Sequence, residues 1–204
     1  MIENFQKQSH IKILPAFSVD GGFRLRETEL NEVVKTLEGV LPQYVNGDID
    51  VTITLLEKNL KIMADMALMR ETLTHLIETA MDAVPGHGRF SLTVKQVNYE
   101  IESLLNGDNS IIGACAFICL TDTDRGIDEK IKEKIFEPFF TTKIDGNGLS
   151  LAIAYRIIKQ HQVRIKVESQ AGQGTEVNVY LPLTKPEIVS MMSIPIGASY
   201  GRIH

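Results

Sequence analysis

Residues 110–128 read SIIGACAFICLTDTDRGID, an apolar run that ends on a carboxylate and opens into a polar, glycine-spotted loop. A short apolar run bounded by a polar loop predicts a strand buried near the middle of a sheet. It carries both cysteines of the chain, Cys115 and Cys119. Four residues apart on a strand, they share one face but stand ~13 Å apart along it, too far for a disulfide. No Cys or His partners at metal-ligand spacing accompany them, so they read as small buried apolar side chains.

Working outward, RFSLTVKQVNYEIE (89–102) predicts a neighbouring strand, with Asn106–Asn109 as a hairpin-type loop. Before it, Asp65 is placed to cap a long helix reaching about Val84, with Leu68, Leu73, Leu76, Ile77, Ala80 and Val84 as its buried stripe. PGHG (85–88) stops that helix. IDVTITL (49–55) and LKIMAD (60–65) predict two short strands, and Glu27 to Leu41 a first helix capped by Thr28 and ended by Pro42. Downstream, the polar stretch 122–148 holds a short helix around Glu129–Phe136. An amphipathic helix follows from Leu149 to His161, then strands VRIKVES (163–169) and TEVNVYLP (175–182) joined by AGQG. Strands joined by turns predict antiparallel pairs, and helices on one face predict an α+β two-layer sandwich.

The chain has 204 residues, 44% apolar and 23% charged, with a net charge of −5. That composition excludes a disordered chain, a collagen and a disulfide-stapled mini-protein. It predicts one domain over 27–183, an arm or linker over 1–26 with a hinge at Gly21-Gly22, and a tail over 184–204. A mildly acidic chain offers no overall footprint for nucleic acid. No apolar run approaches the ~18 residues of a membrane span, and MIENFQKQSH lacks the apolar core of a signal peptide. A cytoplasmic segment making no membrane contact is the expectation.

Three polar constellations carry the chemistry. Asp122, at the end of the central strand, is placed to accept a hydrogen bond from an exocyclic amine such as the N6 of adenine, with Gly126 and Ile127 beside it. Gly146-Asn147-Gly148-Leu149 opens a helix, where free backbone N–H groups and the helix dipole favour phosphate, and Lys143 lies three residues upstream. His75, Thr79 and Asp82 share one face of the long helix. A hydrated Mg²⁺ needs few protein oxygens, so Thr79 and Asp82 are candidate metal ligands. Each signal is ordinary alone: Asp122 as a turn cap, Lys143 as a surface lysine, the polar stripe as a solvated face.

Taken in order, the segments resemble a known family. HLIETAMDAVPGHG (75–88) is similar to the N box, DTDRGID (122–128) to the G1 box, IFEPFFTTK (135–143) to the F box, and GNGLSLAIAYRIIKQH (146–161) to the G2 box of bacterial sensor histidine kinases. VESQAGQGTEVNVYLP (167–182) resembles their closing strand pair, and IMADMALMRETLTHL (62–76) the lead-in to the N box. The resemblance is to their catalytic ATP-binding domain, within the gyrase, histidine kinase and MutL ATPase superfamily. It covers about residues 27–183 and implies a Bergerat-type fold: a mixed sheet with ATP held between the N-box helix and a mobile lid.

By position, the resemblance assigns Asp122 to the adenine amine, Gly126 to the base and Thr175 near it. It assigns Lys143, Gly146, Gly148 and Leu149 to the phosphates, Thr79 to the position of the Mg²⁺-binding Asn, and His75 to the other N-box polar position. Three departures stand out: Thr79 for that Asn, Asp124 for the first glycine of D-x-G-x-G, and Ser150 for a glycine in G-x-G-L-G-L. ILPAFS (13–18) resembles the end of the dimerisation domain, but none of His10, His75, His87, His161 and His204 sits in the family's phosphoacceptor motif. No residue is an obvious covalent nucleophile.

The implied function is transfer of the γ-phosphoryl group of ATP, with Mg²⁺, to a histidine on another domain or chain. Partners would be a dimerisation and phosphoacceptor domain, in a longer chain or in trans, and a response regulator. Two alternatives follow: a degenerate domain acting as a regulatory binding module with weak or no ATP binding, and an anti-sigma-type kinase acting on serine.

Overall fold

The protein is described from a computed structural model, which covers residues 23–39, 41–45, 48–84, 86–102, 110–123, 125–143, 146–161 and 163–184. Residues 1–22 of the expected arm over 1–26, the loop 106–109, Asp124, and residues 185–204 of the expected tail over 184–204 lie outside the described residues. Among the described residues are seven strands: β1 (Arg26–Glu29), β2 (Asp48–Thr54), β3 (Lys61–Ala64), β4 (His87–Glu102), β5 (Ser110–Asp122), β6 (Arg164–Gln170) and β7 (Gly174–Pro182). Three α-helices accompany them: α1 (Leu30–Glu38), α2 (Met66–Ala83) and α3 (Ser150–Gln160).

The main sheet has the order β2-β4-β5-β7-β6, so the apolar run 110–122 does occupy the middle. Its strands are antiparallel except β2 and β4, which run parallel. Alternation decides the faces. Phe90, Leu92 and Val94 on β4 align with Ile118 and Leu120 on β5 and Val179 on β7, all buried. Leu73, Ile77, Ala154 and Ile158 from α2 and α3 belong to the same core. The opposite face carries Ser91, Thr93, Lys95, Glu176 and Lys166. Burying each large apolar side chain contributes about 1.5–3 kcal/mol, so this single layer of helix-to-sheet contact holds the fold. The mixed α+β sandwich expected from sequence is the architecture found.

Asp65 caps α2 as expected: its Oδ1 accepts from the N–H of Ala67 (3.1 Å) and of Leu68 (3.3 Å). The first helix begins later than expected. Residues 26–29 form β1, antiparallel to β3, with Thr28 buried and its hydroxyl donating to Ala64 O at 3.3 Å. Thr28 therefore caps nothing. Leu30 N–H goes instead to Leu60 O and Asn31 N–H to Asn59 Oδ1, so a neighbouring loop satisfies the helix start.

Two further expectations are corrected. The strands 49–55 and 60–65 do not pair with each other: β2 reaches β4 through the α2 crossover, and β3 pairs with β1. The short helix around Glu129–Phe136 is a chain of turns, closed by Ile131 N–H to Asp128 O, Lys134 N–H to Ile131 O and Glu137 N–H to Lys134 O. No helix among the described residues is long and apolar enough to cross a membrane.

Candidate functional site

A cleft of about 700 Å³ opens between the C-terminal half of α2 and residues 140–143 and 146–149, and its floor is the end of β5 and start of β7. The volume suits a nucleotide-sized ligand. Its walls bring together Thr79, Asp82, Asp122, Gly126, Ile127, Lys143, Gly146, Gly148, Leu149 and Thr175. His75 is not among them. It lies between the carboxylates of Glu71 (3.8 Å) and Glu78 (3.4 Å) on its own helix. Glu78, absent from the sequence-based candidates, does line the cleft.

Asp122 is 4% exposed, and its Oδ1 accepts the backbone N–H of Thr175 at 3.1 Å. β5 and β7 pair these two residues directly. A buried carboxylate thus stands at the rim of the sheet, fixed by the neighbouring strand and open to the cleft. Ser169 organises what surrounds it. Its hydroxyl accepts Ile127 N–H (2.7 Å), donates to Gly174 O (2.9 Å) and lies 3.1 Å from Thr175 Oγ1. Sequence reasoning missed Ser169; the available signal was a hydroxyl residue just before the AGQG turn, facing Thr175 across it. Gly126, with φ of 68°, is required sterically, because a Cβ there would sit 2.0 Å from Gln170 O. The loop and the β6–β7 turn therefore touch backbone to backbone.

On the opposite wall, the Thr79 hydroxyl donates to His75 O at 2.8 Å. Its proton is spent on the helix, which leaves its lone pairs to accept or to ligate. Asp82, one turn on, meets Lys143 from the facing loop, Oδ2 to Nζ at 3.2 Å. Tyr44 lies near this end: burial first, then the Glu78 and Asp82 carboxylates, push its phenol above the ordinary value. Oxygen donors of this kind fit Mg²⁺, which keeps several waters and takes one or two carboxylates plus phosphate oxygens. They do not form a closed protein cage, and among the described residues no group of three or more His, Cys, Asp or Glu is placed to hold a metal.

The loop before α3 is pinned at its base. Phe139 N–H donates to Gly148 O at 2.9 Å, and a Cβ on Gly148 would lie 2.4 Å from the Phe139 carbonyl carbon. Phe139 itself has φ of 68° and is 76% exposed. The N-cap of α3, Leu149, makes no side-chain cap bond, and Ser150 is the first helical residue. The Leu149 N–H itself donates to Asn147 Oδ1 at 3.0 Å, the acceptor whose place an anion at this helix start would take.

The cysteines stay outside this chemistry. Cys115 is buried and Cys119 partly so, and burial pushes both thiols up. A second groove of about 570 Å³ runs along β1 and the start of α2, lined by Arg24, Glu27, Asp65 and Met66 among others. It holds none of the candidate site residues.

Comparison with known proteins gives a consistent result. A family model described as histidine kinase-, DNA gyrase B- and HSP90-like ATPase matches residues 64–185, more than half of the chain. The sensor kinase CckA of Brucella abortus is 31% identical over 176 residues, covering 85% of this chain and 19% of CckA. The sensor histidine kinase ZraS of Escherichia coli is 30% identical over 160 residues, 78% of this chain and 31% of ZraS. The chain thus spans roughly a fifth to a third of the length of these relatives. Among solved structures, the catalytic domain of histidine kinase ThkA superposes with a TM-score of 0.59 at 25% identity, over 78% of this chain and 95% of that one. Full-length ShkA in complex with AMPPNP gives 0.64 at 22% identity, over 87% of this chain and 36% of that one.

Proposed function

Because the chain belongs to the family of histidine kinase-, DNA gyrase B- and HSP90-like ATPases, we propose that its cleft binds ATP as the magnesium complex and hands the γ-phosphoryl group to a histidine on another domain or chain. The observation that carries this reading is Asp122, a buried carboxylate held by Thr175 N–H on the floor of a nucleotide-sized cleft. Such a group selects a purine whose six-position bears an amine. Gly126 and Ile127 line the base, and Thr175 supports the carboxylate and the water around it.

At the other end, Lys143 contributes a cation, and Gly146, Gly148 and Leu149 border the phosphates at the start of α3, where phosphate replaces Asn147 Oδ1 as the acceptor of the Leu149 N–H. Thr79 and Asp82 supply oxygen to the metal, which when bound neutralises phosphate charge. The chain's own part in transfer is positioning and charge compensation, the usual protein contribution to phosphoryl transfer. His75 takes no part in this account.

The partners that fit are a dimerisation domain bearing the acceptor histidine and a response regulator. The solved structure of histidine kinase ThkA in complex with the response regulator TrrA shows a protein of the same fold bound to a response regulator. Residues 27–183 would act as the catalytic unit, with 1–26 as linker and 184–204 as tail, in the cytoplasm. The binding-module alternative is not favoured, since the cleft is open and keeps its floor carboxylate, lysine and glycines.

The test is label transfer from γ-labelled ATP to a purified dimerisation domain supplied in trans. Acid-labile, base-stable label is expected, as for phosphohistidine. Acid-stable label would assign the acceptor to serine instead.

A further inference from the structure

The Lys143–Asp82 pair closes the phosphate end of the cleft on itself. Lys143 comes from the loop before α3 and Asp82 from the last turn of α2, and the 3.2 Å contact spans the two walls. Each partner is the natural ligand of a different part of the incoming molecule: ammonium for phosphate, carboxylate for a divalent cation. A metal-free triphosphate must draw Lys143 away and then lie close to an uncompensated Asp82. A metal-bound triphosphate offers both residues a new partner, so one ion pair is exchanged for two.

We propose that Asp82 is a specificity-determining residue, which selects magnesium-bound over free nucleotide by holding Lys143 until both can be exchanged. Asp82 thereby positions Lys143 rather than touching the transferred group. The proposal rests on the reading of the cleft as a nucleotide site. Glu78, one turn earlier on the same wall, adds to the negative field that a free triphosphate meets. The pair is partly exposed, 40% at Lys143 and 50% at Asp82. Effects of severalfold are therefore expected rather than thousands.

The experiment is calorimetric titration of the full chain with ATP and with AMP, in excess Mg²⁺ and in EDTA. The proteins are wild type, Asp82→Asn, Lys143→Gln and the double variant. Wild type should prefer the magnesium complex. Asp82→Asn should tighten metal-free ATP by about two- to fivefold, the range for an exposed pair, and reduce the preference for the magnesium complex. In the Lys143→Gln background the tightening should shrink to the direct repulsion between Asp82 and the triphosphate, because no ion pair is left to exchange. AMP, which has no β or γ phosphate, should ignore both substitutions. ATP binding whose magnesium-to-free ratio is unchanged in Asp82→Asn overturns the exchange while leaving the cleft reading intact. Absence of binding of either nucleotide to wild type overturns the cleft reading, and the exchange with it.

Discussion

The imidazole of His161, at the C-terminal end of α3, accepts the backbone N–H of Asp65, the N-cap of α2, at 3.0 Å through Nε2. Its Nδ1 meets Ile157 O at 2.8 Å, which assigns the proton to Nδ1 and leaves the ring neutral. Asp65 Oδ2 also accepts Arg24 N–H at 3.0 Å, and the Phe23 ring stands edge-on to His161 with centroids 4.8 Å apart. The entering chain, the start of α2 and the end of α3 are thus fastened at one point. The other ends of both helices wall the cleft.

This junction predicts a pH dependence of stability. Burial pushes the His161 pKa below its ordinary 6.5, against smaller raising effects from Ile157 and Asp65. The unfolded chain therefore takes up the proton first as pH falls. The contribution of His161 is complete above pH 6.5 and is lost as pH drops through 6.5 toward the depressed folded value. Urea unfolding of wild type and His161→Asn should show a stability gap that narrows between pH 7.5 and 5.5. A gap that stays constant would mean that His161 does not titrate in this window.

Asp65→Ala should cost about 1 kcal/mol, because two N–H groups of the first turn of α2 lose their acceptor. Asp65→Asn, which keeps an acceptor oxygen, should recover most of it. Equal losses in equilibrium unfolding would point to the charge rather than the cap.

Three glycines around the β6–β7 turn should respond differently. Gly172 has φ of 79° but nothing within 4 Å of a Cβ, so Gly172→Asn should cost ~1 kcal/mol or less. A Cβ on Gly126 would collide with Gln170 O at 2.0 Å, and one on Gly174 with Asp122 O at 2.1 Å. Gly126→Ala and Gly174→Ala should therefore displace the segment that holds Asp122 and weaken ATP binding at least tenfold, even where the fold survives. Unchanged affinity in both variants would detach these contacts from the site.

The loop from 137 to 148 should exchange its amide hydrogens more slowly when Mg-ATP is added. Its base is pinned by the Phe139 N–H to Gly148 O bond, and its described residues, 137–143 and 146–148, place no side chain in the buried core. Unaltered exchange at saturating nucleotide would remove its part in holding phosphate.

The legible parts were those written in local patterns. Asp65 declares its cap through the helix that follows, and β5 declares itself by an apolar run. The cleft residues came from motif order, which fixes positions along the chain, and the fold brings Asp122, Lys143 and Gly148 to one cleft. What stayed hidden depends on distant partners. Arg26–Glu29 is too short and polar to read as a strand; it becomes one because Lys61–Ala64 lies beside it. The parallel pairing of β2 with β4 is fixed by the α2 crossover, which no turn signal announces. His75 has the helical spacing of a site residue, yet its ring faces Glu71 and Glu78 instead. Ser169 carries no motif, and only its three contacts make its role visible.

The most direct measurement of the account is the affinity of the full chain for Mg-ATP and Mg-GTP, in wild type and in Asp122→Asn. The asparagine keeps an oxygen for Thr175 N–H and loses the charge that an adenine amine would meet. Wild type should bind ATP and discriminate against GTP, whose purine carries a carbonyl at that position. Asp122→Asn should lose about 1–3 kcal/mol toward ATP, the range for a hydrogen bond to a charged group. Equal affinity of wild type for ATP and GTP, or an Asp122→Asn variant that binds ATP as well as wild type, would contradict the assignment of this cleft as an adenine-reading nucleotide site.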